Sequence, residues 1–274
     1  MTVHRGPKPP ACRLPRRSGY AQAGQARPEL EIDTIAARLE GLEETIISKL
    51  IDRAQFCANK RIYRPGESGF EGEKKRSLFL LRLFFHEKMD AQFGRFCVPE
   101  ERPFFSLLPE AKRKARIPET GLCLDVYDSI NLMPDIVAGY LDLLPRICRS
   151  GDDGHYGSSV EHDVYAVQAI ARRVHYGSLY VAESKFRAEP NAFAGLIRTG
   201  DRKAIIAKLT RKDVEEKIVR RIRNKVEAMQ LNVNKKVRYC VDAEVVAEFY
   251  KNVIVPLTKK GETLYLMNRQ GVKQ

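Results

Sequence analysis

Apolar residues recur every three or four positions along most of this chain, a period that leaves little besides helices for it to form. Ile32, Ile35, Leu39, Leu42, Ile46 and Leu50 define one stripe, widened by Ile47 and Ile51. This is the pattern of an amphipathic helix with one face on a core, expected from about residue 29 to 58. Pro65, Gly66, Gly69 and Gly72 mark a loop, and a second helix is expected over 75–93, where apolar residues are too dense for a surface element. Further helices are expected over 134–148, 160–187, 191–199, 201–209, 211–229 and 242–267. Asp242 suits the start of the last one because its carboxylate can accept an orphan backbone N–H. Prolines restrict 99–128 to short helical pieces, and Ser150–Gly154 reads as a loop. The best strand candidate, Val237–Val241, is brief. The expectation is an all-α fold with a single domain over residues 29–270.

Residues 1–28 differ in kind. Arg5, Lys8, Arg13, Arg16, Arg17 and Arg27 meet no acid there, so six of the thirteen net positive charges lie in this segment. It is rich in proline, poor in serine and lacks an amphipathic stripe, which predicts a disordered basic tail rather than a transit peptide. The remaining +7 suits an anionic ligand. It argues against nucleic acid, because basic residues past the tail are interspersed with acids and not gathered on one face. No apolar run nears the roughly 20 residues that span a bilayer; Leu78–Phe85 is short and broken by Arg82. No membrane and no secretory signal is expected. The six cysteines (Cys12, Cys57, Cys97, Cys123, Cys148 and Cys240) form no CxxC pair and no group with histidine. They read as reduced thiols in the cytoplasm, with no metal site.

Three segments carry charge in suggestive places. Arg172, Arg173, Glu183 and Lys185 lie in an apolar-rich run, so some of them should be buried and need either an ion-pair partner or a charged ligand. In Leu209–Lys217, Thr210 can cap the next helix, and Glu215 lies one turn beyond Arg211 on the same face. In Val253–Glu262, Thr258 and Glu262 share a face, while Pro256 should kink the helix and Gly261 weakens it by about 1 kcal/mol relative to Ala. Taken singly, each segment also reads as an ordinary structural helix.

Taken together and in order, the segments resemble the all-helical chorismate mutases of fungi and plants. The stretch Gly157–Phe186 (GSSVEHDVYAVQAIARRVHYGSLYVAESKF) is similar to that family's signature, and Leu42–Phe56 (LEETIISKLIDRAQF) to its first helix. Pro103–Phe105, Val214–Lys217, and Val253–Thr258 with Glu262 resemble its remaining motifs, so the likeness covers about residues 30–269. The resemblance implies a homodimer that rearranges the dianion chorismate to prephenate, on the route to phenylalanine and tyrosine, without a cofactor. Carried over by position, it implies that Arg173 binds a substrate carboxylate with help from Thr258. Lys185 and Glu262 would meet the ether oxygen whose bond breaks, and Glu215 would hold the ring hydroxyl. Glu262 could donate only when protonated, so activity should fall as pH rises through its pKa.

Three departures accompany the likeness. Ala36 stands where the family has an arginine completing the carboxylate clamp, and Arg38 lies about 200° around the helix from it. Arg211 replaces a family asparagine and is a candidate to supply the missing charge. Gly177–Val181 holds one residue more than the family pattern, setting Arg173 and Lys185 twelve apart rather than eleven. The extra residue would rotate the two cations apart by about 100° unless a π-bulge near Gly177 absorbs it. The family's effector site is matched by Gly157, Ser158 and Arg95 alone, with Glu161 in place of a threonine, so loss of feedback control is expected. Two other readings are a family member that binds without catalysing and a basic helical nucleic-acid-binding protein.

Overall fold

The computed structural model describes residues 30–67, 69–114 and 119–272; the tail expected over 1–28 lies outside them. Ten α-helices follow one another among the described residues, with no strand. In chain order they are α1 (Ile32–Arg53), α2 (Leu78–Gln92), α3 (Met133–Ile147), α4 (Tyr156–Tyr176), α5 (Ala182–Ala188), α6 (Pro190–Thr199), α7 (Arg202–Leu209), α8 (Lys212–Met229), α9 (Ala243–Phe249) and α10 (Val255–Asn268). No described helix is long and apolar enough to cross a membrane.

Helix α4 runs through the middle and packs against α1, α2, α3 and α10. Its Val160, Val164, Val167, Ile170 and Val174 are nearly or fully buried and meet Ile46, Ile47 and Leu50 of α1 in one core. A second apolar cluster joins Tyr176, Tyr180, Phe193, Ile205, Tyr265 and Leu266, and so ties α5, α6 and α7 to α10. A charged knot sits inside the first core. Arg53 and Asp163, both with fully buried side chains, pair at 2.6 Å, and the hydroxyls of Tyr63 and Tyr140 donate to the same carboxylate at 2.7 Å.

The structure corrects several expected boundaries. Helix α1 stops at Arg53, short of Ala58, because the Arg53 guanidinium turns back to donate to the carbonyls of Phe56, Cys57 and Ala58. The strand expected at Val237–Val241 is a turn followed by irregular chain. Two glutamines supply what a neighbouring strand would. Gln55 accepts from Tyr239 N–H and donates to Tyr239 C=O, both at 3.0 Å. Gln230 accepts from Val241 N–H at 2.7 Å and donates to Val241 C=O at 2.9 Å. Thr210 does not cap α8; its hydroxyl donates back to Ile206 C=O in α7. Asp242 does cap α9, accepting from Glu244 N–H at 2.8 Å.

Two helices contain a π-turn. One, Gly177–Val181, joins α4 to α5 at the position where the residue count required it. The other, Tyr250–Ile254, joins α9 to α10 and divides the single helix expected over 242–267. It ends just before Pro256, whose ring cannot be accommodated against the carbonyl four residues back in a regular helix. This second bulge pushes Val253 toward α3, where Gly139 makes room: a Cβ there would lie 2.6 Å from Val253 Cγ1.

Candidate active site

Four side chains from the two bulged helices converge. From α4, the Arg173 guanidinium donates to the Thr258 hydroxyl of α10 at 2.8 Å. From α5, the Lys185 ammonium donates to the Glu262 carboxylate of α10 at 2.9 Å and to Leu209 C=O at the end of α7 at 3.1 Å. The π-turn absorbs the twelfth residue between Arg173 and Lys185, so both cations face α10. Thr258 and Glu262 are one turn apart and face both cations.

Burial separates Arg173, Thr258 and Glu262 from ordinary surface groups, while Lys185 is partly buried. Arg173 is 3 % exposed, its Nε is buried without a partner, and among the described residues it meets no carboxylate. Its guanidinium lies 5.9 Å from the centre of the Tyr250 ring. A buried cation with no ion pair of its own is costly, so Arg173 is prepared for an anion. Burial also pushes the Glu262 carboxyl above its ordinary range, against the pull of Lys185, Lys259 and Arg173. The other buried charge in this run is already satisfied: Glu183, fully buried, accepts from Arg187, Arg269 and the Tyr265 hydroxyl. Arg172 points outward and pairs with Glu101.

Glu215, in the first turn of α8, forms an ion pair with Lys259 of α10 at 2.7 Å. The sequence pattern does not single out Lys259, since a lysine on a terminal helix reads as solvated; its neighbour Thr258 is the only hint. Arg211 is not brought to the four converging groups. It is 67 % exposed and faces Asp213 at 3.6 Å, so it does not take the place of the arginine missing at Ala36. Arg38 is no substitute either, its guanidinium resting over the Tyr176 ring at 5.1 Å. No group of metal-binding side chains occurs among the described residues.

The residues expected at an effector site are dispersed in role. Gly157 and Ser158 lie in the first turn of α4. Arg95 is occupied by Asp90, Glu101 and Gln168, and Glu161 pairs with Arg82 at 3.1 Å.

No family model matches the chain. It is 37 % identical over 251 residues to the chloroplastic chorismate mutase 1 of Petunia hybrida, covering 87 % of this chain and 75 % of that one. The crystal structure of the chloroplast chorismate mutase from Zea mays superimposes with a TM-score of 0.78 at 36 % identity, over 89 % of this chain and 96 % of that one. The chorismate mutase of Candida albicans, solved in complex with L-tryptophan, superimposes with a TM-score of 0.82 at 31 % identity, over 90 % of this chain and 94 % of that one.

Proposed function

The chain belongs to the chorismate mutase family, and from that premise we propose how its residues carry the reaction. It is an isomerase that converts chorismate to prephenate. The substrate is a dianion that must fold into a compact, chair-like arrangement before one C–O bond breaks and a C–C bond forms. Arg173, assisted by Thr258, binds one carboxylate, and fixing it selects the folded conformer in advance of the chemistry. Lys185 and a protonated Glu262 both donate to the ether oxygen, where negative charge grows as the bond lengthens. Glu215 accepts from the ring hydroxyl once Lys259 turns from it toward the incoming anion. Arg211, exposed near the end of α7, contributes long-range attraction rather than a contact.

The observation that supports this reading most directly is the burial of Arg173, without an ion pair, beside Lys185, Thr258 and Glu262. Purified protein mixed with chorismate should deplete its ultraviolet absorbance and yield prephenate, which acid converts to phenylpyruvate. Lys185→Ala and Arg173→Ala should each lower kcat/KM by about 100-fold or more. Wild-type rates in both variants would remove these residues from the site.

The reading extends to assembly, control and compartment. Residues 29–270 act as one helical unit, and two copies pair through α2. Its Phe85 and Met89, with Phe93 at its C-cap, are spaced one turn apart and 48 %, 48 % and 69 % exposed, and Phe70 stacks on Phe85. Arg95 is engaged by two acids and Glu161 adds negative charge, which supports loss of feedback control. Turnover should be unchanged by added tyrosine or tryptophan; inhibition or activation by either would overturn that. The five cysteines among the described residues are free thiols, which suits a reducing compartment such as the cytoplasm. A fluorescent fusion of the full chain seen in plastids, as the Petunia relative's name suggests for that protein, would replace this assignment.

A further inference from the structure

The converging pairs Arg173–Thr258 and Lys185–Glu262 both span the seam between the bulged helix and α10, and one contact lies between them. Ser178, the second residue of the π-turn, is fully buried. Its hydroxyl lies 2.7 Å from Val174 C=O, to which it donates, and 3.3 Å from Thr258 C=O across the seam. Directly opposite is Gly261, next to Glu262 in the chain. A Cβ on Gly261 would fall 2.0 Å from Ser178 Oγ, 2.5 Å from Ser178 Cβ and 3.1 Å from Leu132 Cδ1. A Cβ on the preceding bulge residue, Gly177, would come 2.8 Å from Thr258 Cγ2. The bulge therefore thrusts a side chain into a groove that exists only because α10 lacks one at that point.

We propose that Ser178 and Gly261 form an interlock that sets the separation and register of α10 against the bulged helix, and that they are positioning residues for the reaction. The interlock explains two features together. The bulge restores the facing of Arg173 and Lys185 only if the side chain it turns inward, Ser178, has somewhere to go. Gly261, a poor helix former in the interior of α10, provides that space. A methyl group at position 261 must displace either helix by about 1 Å, because a fully buried contact between backbone-proximal atoms has no flexible end to yield. Lys185 and Glu262 would then no longer share one oxygen of the substrate.

The proposal rests on the site assignment given above, so Lys185→Ala serves as the control that tests the assignment separately. With wild type active and Lys185→Ala impaired, Gly261→Ala should lower kcat about 100-fold, the effect expected of a displacement of about 1 Å at the reacting groups. KM for chorismate should change less than kcat. Adding Ser178→Gly to Gly261→Ala removes both clashing serine atoms and should restore most of the lost kcat, or the soluble yield if the single variant does not fold. Wild-type kcat in Gly261→Ala would overturn the interlock. So would a double variant that remains as inactive, or as unfolded, as the single one. An active Lys185→Ala would instead overturn the site assignment.

Discussion

Arg173 and Glu183 lie in one apolar run and are both buried, yet their roles diverge because of residues far away in the chain. Glu183 is paired with Arg269 and Tyr265 from α10 and beyond, whereas Arg173 donates to a hydroxyl and, among the described residues, forms no ion pair. Composition shows that such charges need partners; only the folded chain shows which one still lacks an ion pair. Glu262 gives the residue scale its pH dependence. Burial raises its carboxyl pKa, so the donating, protonated form is lost as pH rises through that value, and kcat/KM should fall with it. Glu262→Gln, which donates at every pH, should flatten that limb in a pH–rate profile; an unchanged limb would place the titration elsewhere. The charge missing at Ala36 makes a second prediction. Ala36 is exposed, and Leu39, three residues on along the same face, lies within 3.6 Å of where a Gly177 Cβ would be, beside Arg173. Ala36→Arg should therefore lower KM for chorismate about tenfold, the effect of about 1.4 kcal/mol from one added ion pair.

At the scale of elements, the periodicity revealed most helices, and the two breaks in it had different visibility. The bulge at Gly177–Val181 was legible because a spacing of twelve cannot align two cations on a regular helix. The bulge at Tyr250–Ile254 left only Pro256 as a trace, which marks a disturbance without giving its form. The failed strand at Val237–Val241 has a different cause. Its backbone groups are satisfied by Gln55 and Gln230, and no local pattern reveals a side chain that folds back from another element. Gln230→Ala would leave a buried N–H and C=O at Val241 unpaired. It should destabilise the protein by about 1–3 kcal/mol in urea unfolding, while Gln230→Glu, which keeps only the acceptor, should cost a comparable amount. Wild-type stability in both would show that water replaces the amide.

For the whole molecule, assembly turns on the exposed face of α2. Three large apolar side chains one turn apart form a strip that a chain in water does not ordinarily leave bare. Phe93→Asp should convert a dimer to a monomer in analytical ultracentrifugation, with the helical content unchanged. A wild-type monomer at micromolar concentration would rule out pairing. Arg173, Thr258, Lys185 and Glu262 meet within one chain, so a monomeric variant should retain turnover.

The carboxyl-terminal segment has a consequence for how this protein fails. Arg269 neutralises Glu183 two residues from Lys185, Gln270 N–H reaches Cys123 C=O at 2.8 Å, and Val272 is tucked in behind. Loss of the Arg269 side chain would leave Glu183 held by Arg187 and the Tyr265 hydroxyl, loosening the helix that presents the lysine while the core around Arg53 kept its own contacts. Arg269→Ala should then cost turnover before it costs melting temperature.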